Sequence, residues 1–148
     1  MILITGGSGY LAGRISSSLL SRGLNIRVAT TKKNKISSFY QDQINKKKIE
    51  VVHYDYDIPD YDKLLKSITH VIHCVSLNNN DSETNPNLAQ KISVDSSKYL
   101  INECINREIK NLLYFSTIHV YGSPLKGILK ESSIANPLSV YAKTHLSV

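Results

Sequence analysis

The stretch Ile4–Gly13, ITGGSGYLAG, decides the fold. An apolar run, MILIT (Met1–Thr5), leads into it, and the residues that leave it carry Leu11, Ile15, Leu19 and Leu20 on one helical face from Tyr10 to Arg22. Gly23 then supplies a helix stop. The pattern is a strand, a tight glycine turn and a helix. Gly6 and Gly9 have the three-residue separation that lets such a turn deliver backbone amides to a diphosphate, and the helix N-terminus adds partial positive charge at the same place. Gly7 and Ser8 fill the turn and Tyr10 and Leu11 open the helix, so all six are candidate cofactor contacts. A bare tight turn is the alternative, and the position at the first β-α junction weighs against it. Ala12 takes the third small-residue position, where it still permits close helix-strand packing, and Gly13 follows.

Working outward, apolar runs and helical stretches alternate along the whole chain, which argues for β-α-β units around a parallel sheet. Further strands are expected at Ile26–Thr30, Ile49–Tyr54, His70–Val75 and Asn111–Ser116. Helices are expected at Ile36–Asn45, at Asp60–Ile68 with Leu64, Leu65 and Ile68 inward, and at Pro86–Arg107 with Leu88, Ile92, Tyr99, Ile101 and Ile105 among its apolar positions. The run SLNNNDSETN ahead of the last has no apolar periodicity and reads as a mobile loop.

With 148 residues the chain is long enough for one domain with a proper core. No apolar run approaches the roughly 18 residues of a membrane span, and no basic, cleavage-like leader precedes MILIT, so a soluble cytoplasmic protein is expected. Cys74 lies in an apolar run and Cys104 in a helix-like one, without metal-site or disulfide spacing, and both read as reduced core residues; no metal site is expected. The net charge of +6 comes largely from two lysine clusters, TKKNK and NKKK, with no interleaved aromatics. They read as solvated faces rather than a nucleic-acid surface.

At the end of the second strand a carboxylate would accept from the adenosine ribose, whereas a basic residue favours a 2′-phosphate. Thr30, Thr31, Lys32 and Lys33 stand there with no acid. Thr31 and Lys32 are therefore candidate contacts, leaning toward NADP with NAD as the alternative.

These residues carry a resemblance. TGGSGYLAG resembles the TGxxGxxG opening of the extended short-chain dehydrogenase/reductase family, the NAD(P)-dependent epimerase/dehydratase type acting on nucleotide sugars, with Ala12 as the departure. HYDYDIPD resembles its acidic turn after the third strand, VIHCVS its VIHxAA strand, FSTIHVYGSP its SSxxVYG segment and NPLSVYAKTH its YxxxK segment. The similarity runs through the whole chain in family order. It implies a doubly wound, Rossmann-like α/β fold with strand order 3-2-1-4-5. The family is roughly twice as long, so residues 1–148 resemble its N-terminal, NAD(P)-binding half, truncated before the substrate domain. By the same resemblance Asp55 and Tyr56 lie by the adenine, and Cys74, Val75 and Ser76 pass the cofactor. A homodimer through the Pro86–Arg107 helix and one beginning near Leu138 is implied as well.

The resemblance assigns acid-base work to Tyr141 and a hydrogen bond to the reacting oxygen to Thr117. Ser116 is the fallback for Thr117, and a strand-end hydroxyl satisfying backbone is the alternative. A free tyrosine titrates near pH 10, so a base working near pH 7 needs a neighbouring positive charge. The family places a lysine four residues on, which also holds the nicotinamide ribose; here the residue is His145. Four helical residues turn through about 400°, which puts His145 on Tyr141's face, while Lys143 at about 200° points away. His145 can reach a ribose hydroxyl, but an imidazole with a pKa of about 6.5 is mostly neutral at pH 7. Weaker activation, an acid-shifted profile, or a histidine kept protonated by phosphate or carboxylate is expected. His119 lines the substrate pocket or the surface, and His73 reads as a hydrogen-bonded core histidine. The leading reading is an epimerase, dehydratase or reductase on a nucleotide-linked sugar. The rival is a non-catalytic dinucleotide-binding sensor or interaction module.

Overall fold

The computed structural model describes residues 1–31, 40, 48–125 and 127–148. The expected helix Ile36–Asn45, apart from Tyr40, and the residues Lys32 and Lys33 lie outside this set. The described residues form two compact units: Met1–Val75 with Leu100–Phe115, and Ser76–Tyr99 with Ser116–Val148.

The first unit is a five-stranded parallel sheet in the order β3-β2-β1-β4-β5. The strands are β1 (Ile2–Thr5), β2 (Ile26–Thr30), β3 (Ile49–His53), β4 (His70–His73) and β5 (Asn111–Tyr114). Their register aligns Ile4 with Val28 on one side and with Ile72 on the other. Alternate residues point to opposite faces of a strand. Leu3, Ala29, Val52 and Val71 accordingly join one core cluster, covered by Leu64, Leu65, Leu100 and Cys104. Ile4, Ile26, Val28 and Ile49 join a second, covered by Ala12, Leu20 and Tyr40. The central strands β1 and β2 are buried on both faces, which is why neither shows a strict apolar/polar alternation.

Helix α1 (Tyr10–Ser21) ends as the sequence predicts. The amide of Gly23, at φ +76°, donates to Leu20 O, and that of Leu24 donates to Leu19 O. This paired closure satisfies the last carbonyls of the helix. Helix α2 (Tyr61–Leu65) is shorter than the expected Asp60–Ile68, because Asp60 caps it, accepting from the Lys63 amide, and Ser67 turns the chain at φ +60°. Leu64, Leu65 and Ile68 are all buried. The C-terminal end of α2 is held by Arg27, whose Nη1 donates to the carbonyls of Lys63, Leu64 and Lys66 while Nε and Nη2 donate to Glu50 Oε2.

In the second unit the expected mobile loop is a correction. Asn79–Thr84 is a helix, α3. Its stability is local and polar: Asn78 Oδ1 accepts from the Asp81 amide, Ser82 Oγ donates to Asn78 O, and Thr84 Oγ1 donates to Asn80 O. The long helix is also not uniform. It runs as α4 (Pro86–Ala89), a π-helical stretch Gln90–Asp95 and α5 (Ser96–Asn106), the last crossing from the second unit into the first. A 3-10 turn, Ile118–Tyr121, and helix α6 (Val140–Ser147) complete the described elements. Strands β3, β4 and β5 stop one or two residues earlier than expected, so Tyr54, Cys74, Val75, Phe115 and Ser116 lie beyond strand ends.

Candidate functional site

In the first unit the glycine turn stands where β1 meets α1. Gly6 has φ +74°, and a Cβ there would lie 2.8 Å from Cys74 O. Both facts demand glycine, since a left-handed backbone and a close approach to a neighbouring carbonyl each exclude a side chain. Gly7 donates its amide to Ala29 O at 2.8 Å, and a Cβ on it would come within 2.1 Å of Val28 Cγ1. Gly9 donates to Gly6 O and serves as the N-cap of α1 without any side-chain hydrogen bond. The first turn of α1 holds no acidic residue. Tyr10, Leu11 and Ala12 therefore present helix-end amides with no carboxylate to compete for them, the arrangement that suits an anionic diphosphate. Ser8 and Tyr10 are exposed and Leu11 is only partly covered, so this end of α1 is open to a ligand.

Other expected contacts lie at strand ends of the same unit. Thr31 is exposed just past β2. Asp55 is exposed after β3 with Oδ1 accepting from the Asp57 amide at 2.9 Å, and half-buried Tyr56 packs on the core. Cys74 and Val75 follow β4 beside Gly6, and burial pushes the Cys74 thiol up to about 11, so it is no thiolate at pH 7. A feature missed in the sequence sits beneath this turn. Thr5 Oγ1 lies 2.6 Å from His73 Nδ1 and accepts from the Cys74 amide, tying the end of β1 to the end of β4. His73 is fully buried, stacks on Tyr114, and is pushed down to about 4 by burial, so it is a neutral core histidine.

The second unit holds the expected acid-base residues. Ser76 belongs here rather than with Cys74 and Val75, and the neighbouring Leu77 amide donates to buried Ser93 Oγ of the π stretch. Thr117 caps the 3-10 turn, its Oγ1 accepting from the His119 amide at 3.4 Å. The hydroxyl proton of Thr117 is not used by that bond and remains a donor. Helix α6 begins at Val140, near Leu138 as expected, with Ser139 as its cap: Ser139 Oγ accepts from the Ala142 amide. Glu83 of α3 reaches the same helix end, accepting from the Val140 amide at 2.6 Å. Sequence reading missed Glu83 because it lies 57 residues away in a segment with no apolar pattern.

Tyr141 is half-buried and faces His145 one turn on, ring centroids 4.6 Å apart at 70°, while Lys143 is exposed. His119 also stands edge-on to Tyr141, at 6.3 Å. His145 is buried at 5% exposure, and that burial lowers its pKa. Desolvation disfavours the imidazolium, so burial by itself works against a protonated His145. Among the described residues no cluster of metal-ligating side chains occurs, and no helix is long and apolar enough to cross a membrane.

A parallel sheet in this strand order, with a glycine turn leading into a helix that no side chain caps, defines a Rossmann-like fold of the dinucleotide-binding class. The chain belongs to the NAD dependent epimerase/dehydratase family, whose model matches residues 2–148. It is 27% identical to a D-erythronate dehydrogenase of Cupriavidus necator, over 95% of this chain and 45% of that protein. To a UDP-glucose 4-epimerase of Halalkalibacterium halodurans it is also 27% identical, over 99% of this chain and 43% of the relative. The chain thus spans less than half the length of these relatives. Its fold matches the structure of MoeE5 in complex with UDP-glucose and NAD at a TM-score of 0.84 and 22% identity, covering 99% of this chain and 46% of that one.

Proposed function

We propose that this chain is the dinucleotide-binding part of an NAD-dependent enzyme acting on a nucleotide-linked sugar, as an epimerase, dehydratase or reductase. The observation that carries the reading is the pairing of Thr117 and Tyr141 in one compact unit. The turn capped by Thr117 and the helix bearing Tyr141 meet through the His119–Tyr141 ring contact. A protein that only senses a dinucleotide needs neither hydroxyl.

The amides of the Gly6–Gly9 turn and of the first turn of α1 would hold the diphosphate, with Asp55 and Tyr56 toward the adenine and Cys74, Val75 and Ser76 along the cofactor. The bound nicotinamide supplies the hydride acceptor or donor. Tyr141's hydroxyl takes or gives a proton at the substrate hydroxyl or carbonyl oxygen, and Thr117 donates a hydrogen bond to that oxygen. His145 braces the Tyr141 ring and offers a hydrogen bond to a ribose hydroxyl without supplying charge. NAD is the cofactor carried by the MoeE5 structure. The leaning toward NADP rests on Lys32, outside the described residues, and has no support from that neighbour. Sugar specificity is proposed to lie in a substrate domain that these 148 residues do not contain, and the proposed setting is cytoplasmic. The proposed homodimer is supported by Tyr99 and Ile105, both exposed on α5.

The burial of His145, which disfavours its charged form, favours one second reading, a dinucleotide-binding sensor whose active-site pair has drifted. Tyr141→Phe in the full-length protein separates the two. The enzyme reading expects turnover of a nucleotide sugar to vanish with dinucleotide affinity nearly unchanged, and unaltered turnover would sink it.

A further inference from the structure

We propose that His119 is the charge partner of Tyr141, a positioning residue that takes up or releases a proton with solvent beside the phenol. The inference rests on the reading of Tyr141 as the acid-base group and identifies which neighbour tunes it.

Tyr141 is in edge-on contact with two imidazoles, His145 at 4.6 Å and His119 at 6.3 Å. Their surroundings divide the work. His145 is buried, and a buried imidazole resists taking a proton because the charged form loses its hydration. It can hold the ring in place but exchanges protons poorly with water. His119 is exposed, so its protonated form keeps its hydration. The backbone of His119 is pinned. Its amide donates to Thr117 Oγ1, its carbonyl accepts from the Gly122 amide at 3.0 Å, and next to it Val120 O accepts from the Asn136 amide at 2.8 Å. The ring is thereby presented to Tyr141 from a fixed turn.

Among the described residues the other ionisable groups around the pair are few. On α6, which packs against the turn, they are Lys143 and His145 beside Tyr141 itself. Lys143 is exposed and lies on the far side of the helix from Tyr141. The turn contributes Tyr121, and Glu83 brings a carboxylate to the first turn of α6. Of these, His119 is the exposed imidazole in ring contact with Tyr141. A charge appearing at this separation is felt appreciably even through a water-rich medium.

The test is a pH titration by NMR of the 148-residue chain carrying 13C at tyrosine Cζ and histidine Cε1, with Tyr141 assigned by its loss in Tyr141→Phe. The expected result is a step in the Tyr141 signal with the same midpoint as that of His119. The step should disappear in His119→Gln and persist in His145→Gln. In His119→Lys, which keeps the charge, the Tyr141 signal should hold its low-pH position throughout. A Tyr141 signal that stays flat while His119 titrates, or a step that survives His119→Gln, overturns the proposal. Circular dichroism of each variant establishes that it is folded. If His145→Gln unfolds, the two His119 variants still decide. Unaltered turnover in full-length Tyr141→Phe would instead remove the acid-base reading and leave the measured coupling standing, so the two failures are distinguishable.

Discussion

Gly7→Ala is predicted to destabilise the chain through one contact, and a second substitution is predicted to repair it. The added Cβ would meet Val28 Cγ1 at 2.1 Å, against the 3.5–4.0 Å at which carbon atoms rest, and would lie 3.1 Å from Ala29 O. Val28 cannot easily yield. It is fully buried in the middle of β2, paired with Ile4 and Val51, and branched at Cβ, which stiffens its rotamer. If the turn moves instead, the 2.8 Å bond from the Gly7 amide to Ala29 O is lost. Overpacking of this kind costs about 1–3 kcal/mol, and the hydrogen bond adds about 1 kcal/mol. Val28→Ala alone should cost about 2 kcal/mol for two lost methyl groups and the space they leave. In the double variant the new methyl enters that space, so the pair should cost about 1–3 kcal/mol less than the two singles together. Urea denaturation followed by circular dichroism reads all four proteins, with slopes expected to be equal. A Gly7→Ala protein as stable as the parent, or a double variant whose cost is additive, would refute the packing argument for this glycine.

Two further outcomes follow from buried groups. Folded His73 titrates at about 4, well below an ordinary imidazole, so as pH falls the unfolded chain takes up a proton first. Stability present above pH 6.5 should therefore fall by roughly 3 kcal/mol by pH 4, and His73→Asn, compared with the parent by denaturation at both pH values, should remove most of that difference. A parent chain no less stable at pH 4 relative to His73→Asn would contradict the burial argument. Arg27→Leu should cost about 3 kcal/mol, because three carbonyls at the end of α2 and the Glu50 carboxylate lose their donor together. A loss below about 1 kcal/mol by the same assay would show that water replaces the guanidinium there.

Much of the first unit was legible in the sequence because its signals are local. The spacing of Gly6 and Gly9, the apolar runs of β1 and β2 and the stop at Gly23 each depend on a few adjacent residues, and each appears where expected. Helix α3 was not legible, because it holds no apolar stripe and rests on side-chain hydrogen bonds from Asn78, Ser82 and Thr84. The π stretch Gln90–Asp95 escaped for a different reason: the wider winding changes which residues face inward without changing the composition. At the candidate site, the four-residue spacing placed His145 on Tyr141's face, and the ring contact agrees. That His145 is buried could not be read from YAKTH alone, since α6 packs against α3, α4, the π stretch and the 3-10 turn, all distant in sequence. Glu83 and His119 reach Tyr141's helix by the same long-range route.

The central claim, that the glycine turn between β1 and α1 holds a dinucleotide, is tested most directly by fluorescence titration of the chain with NADH, and in parallel NADPH, beside Gly9→Val. A Cβ at Gly9 would lie 3.1 Å from Gly6 O, so a valine there crowds the turn proposed to hold the diphosphate. Saturable binding by the parent chain that is lost in a folded Gly9→Val protein is the predicted result. A folded parent chain that binds neither nucleotide, or one whose binding is indifferent to valine at position 9, would contradict the account.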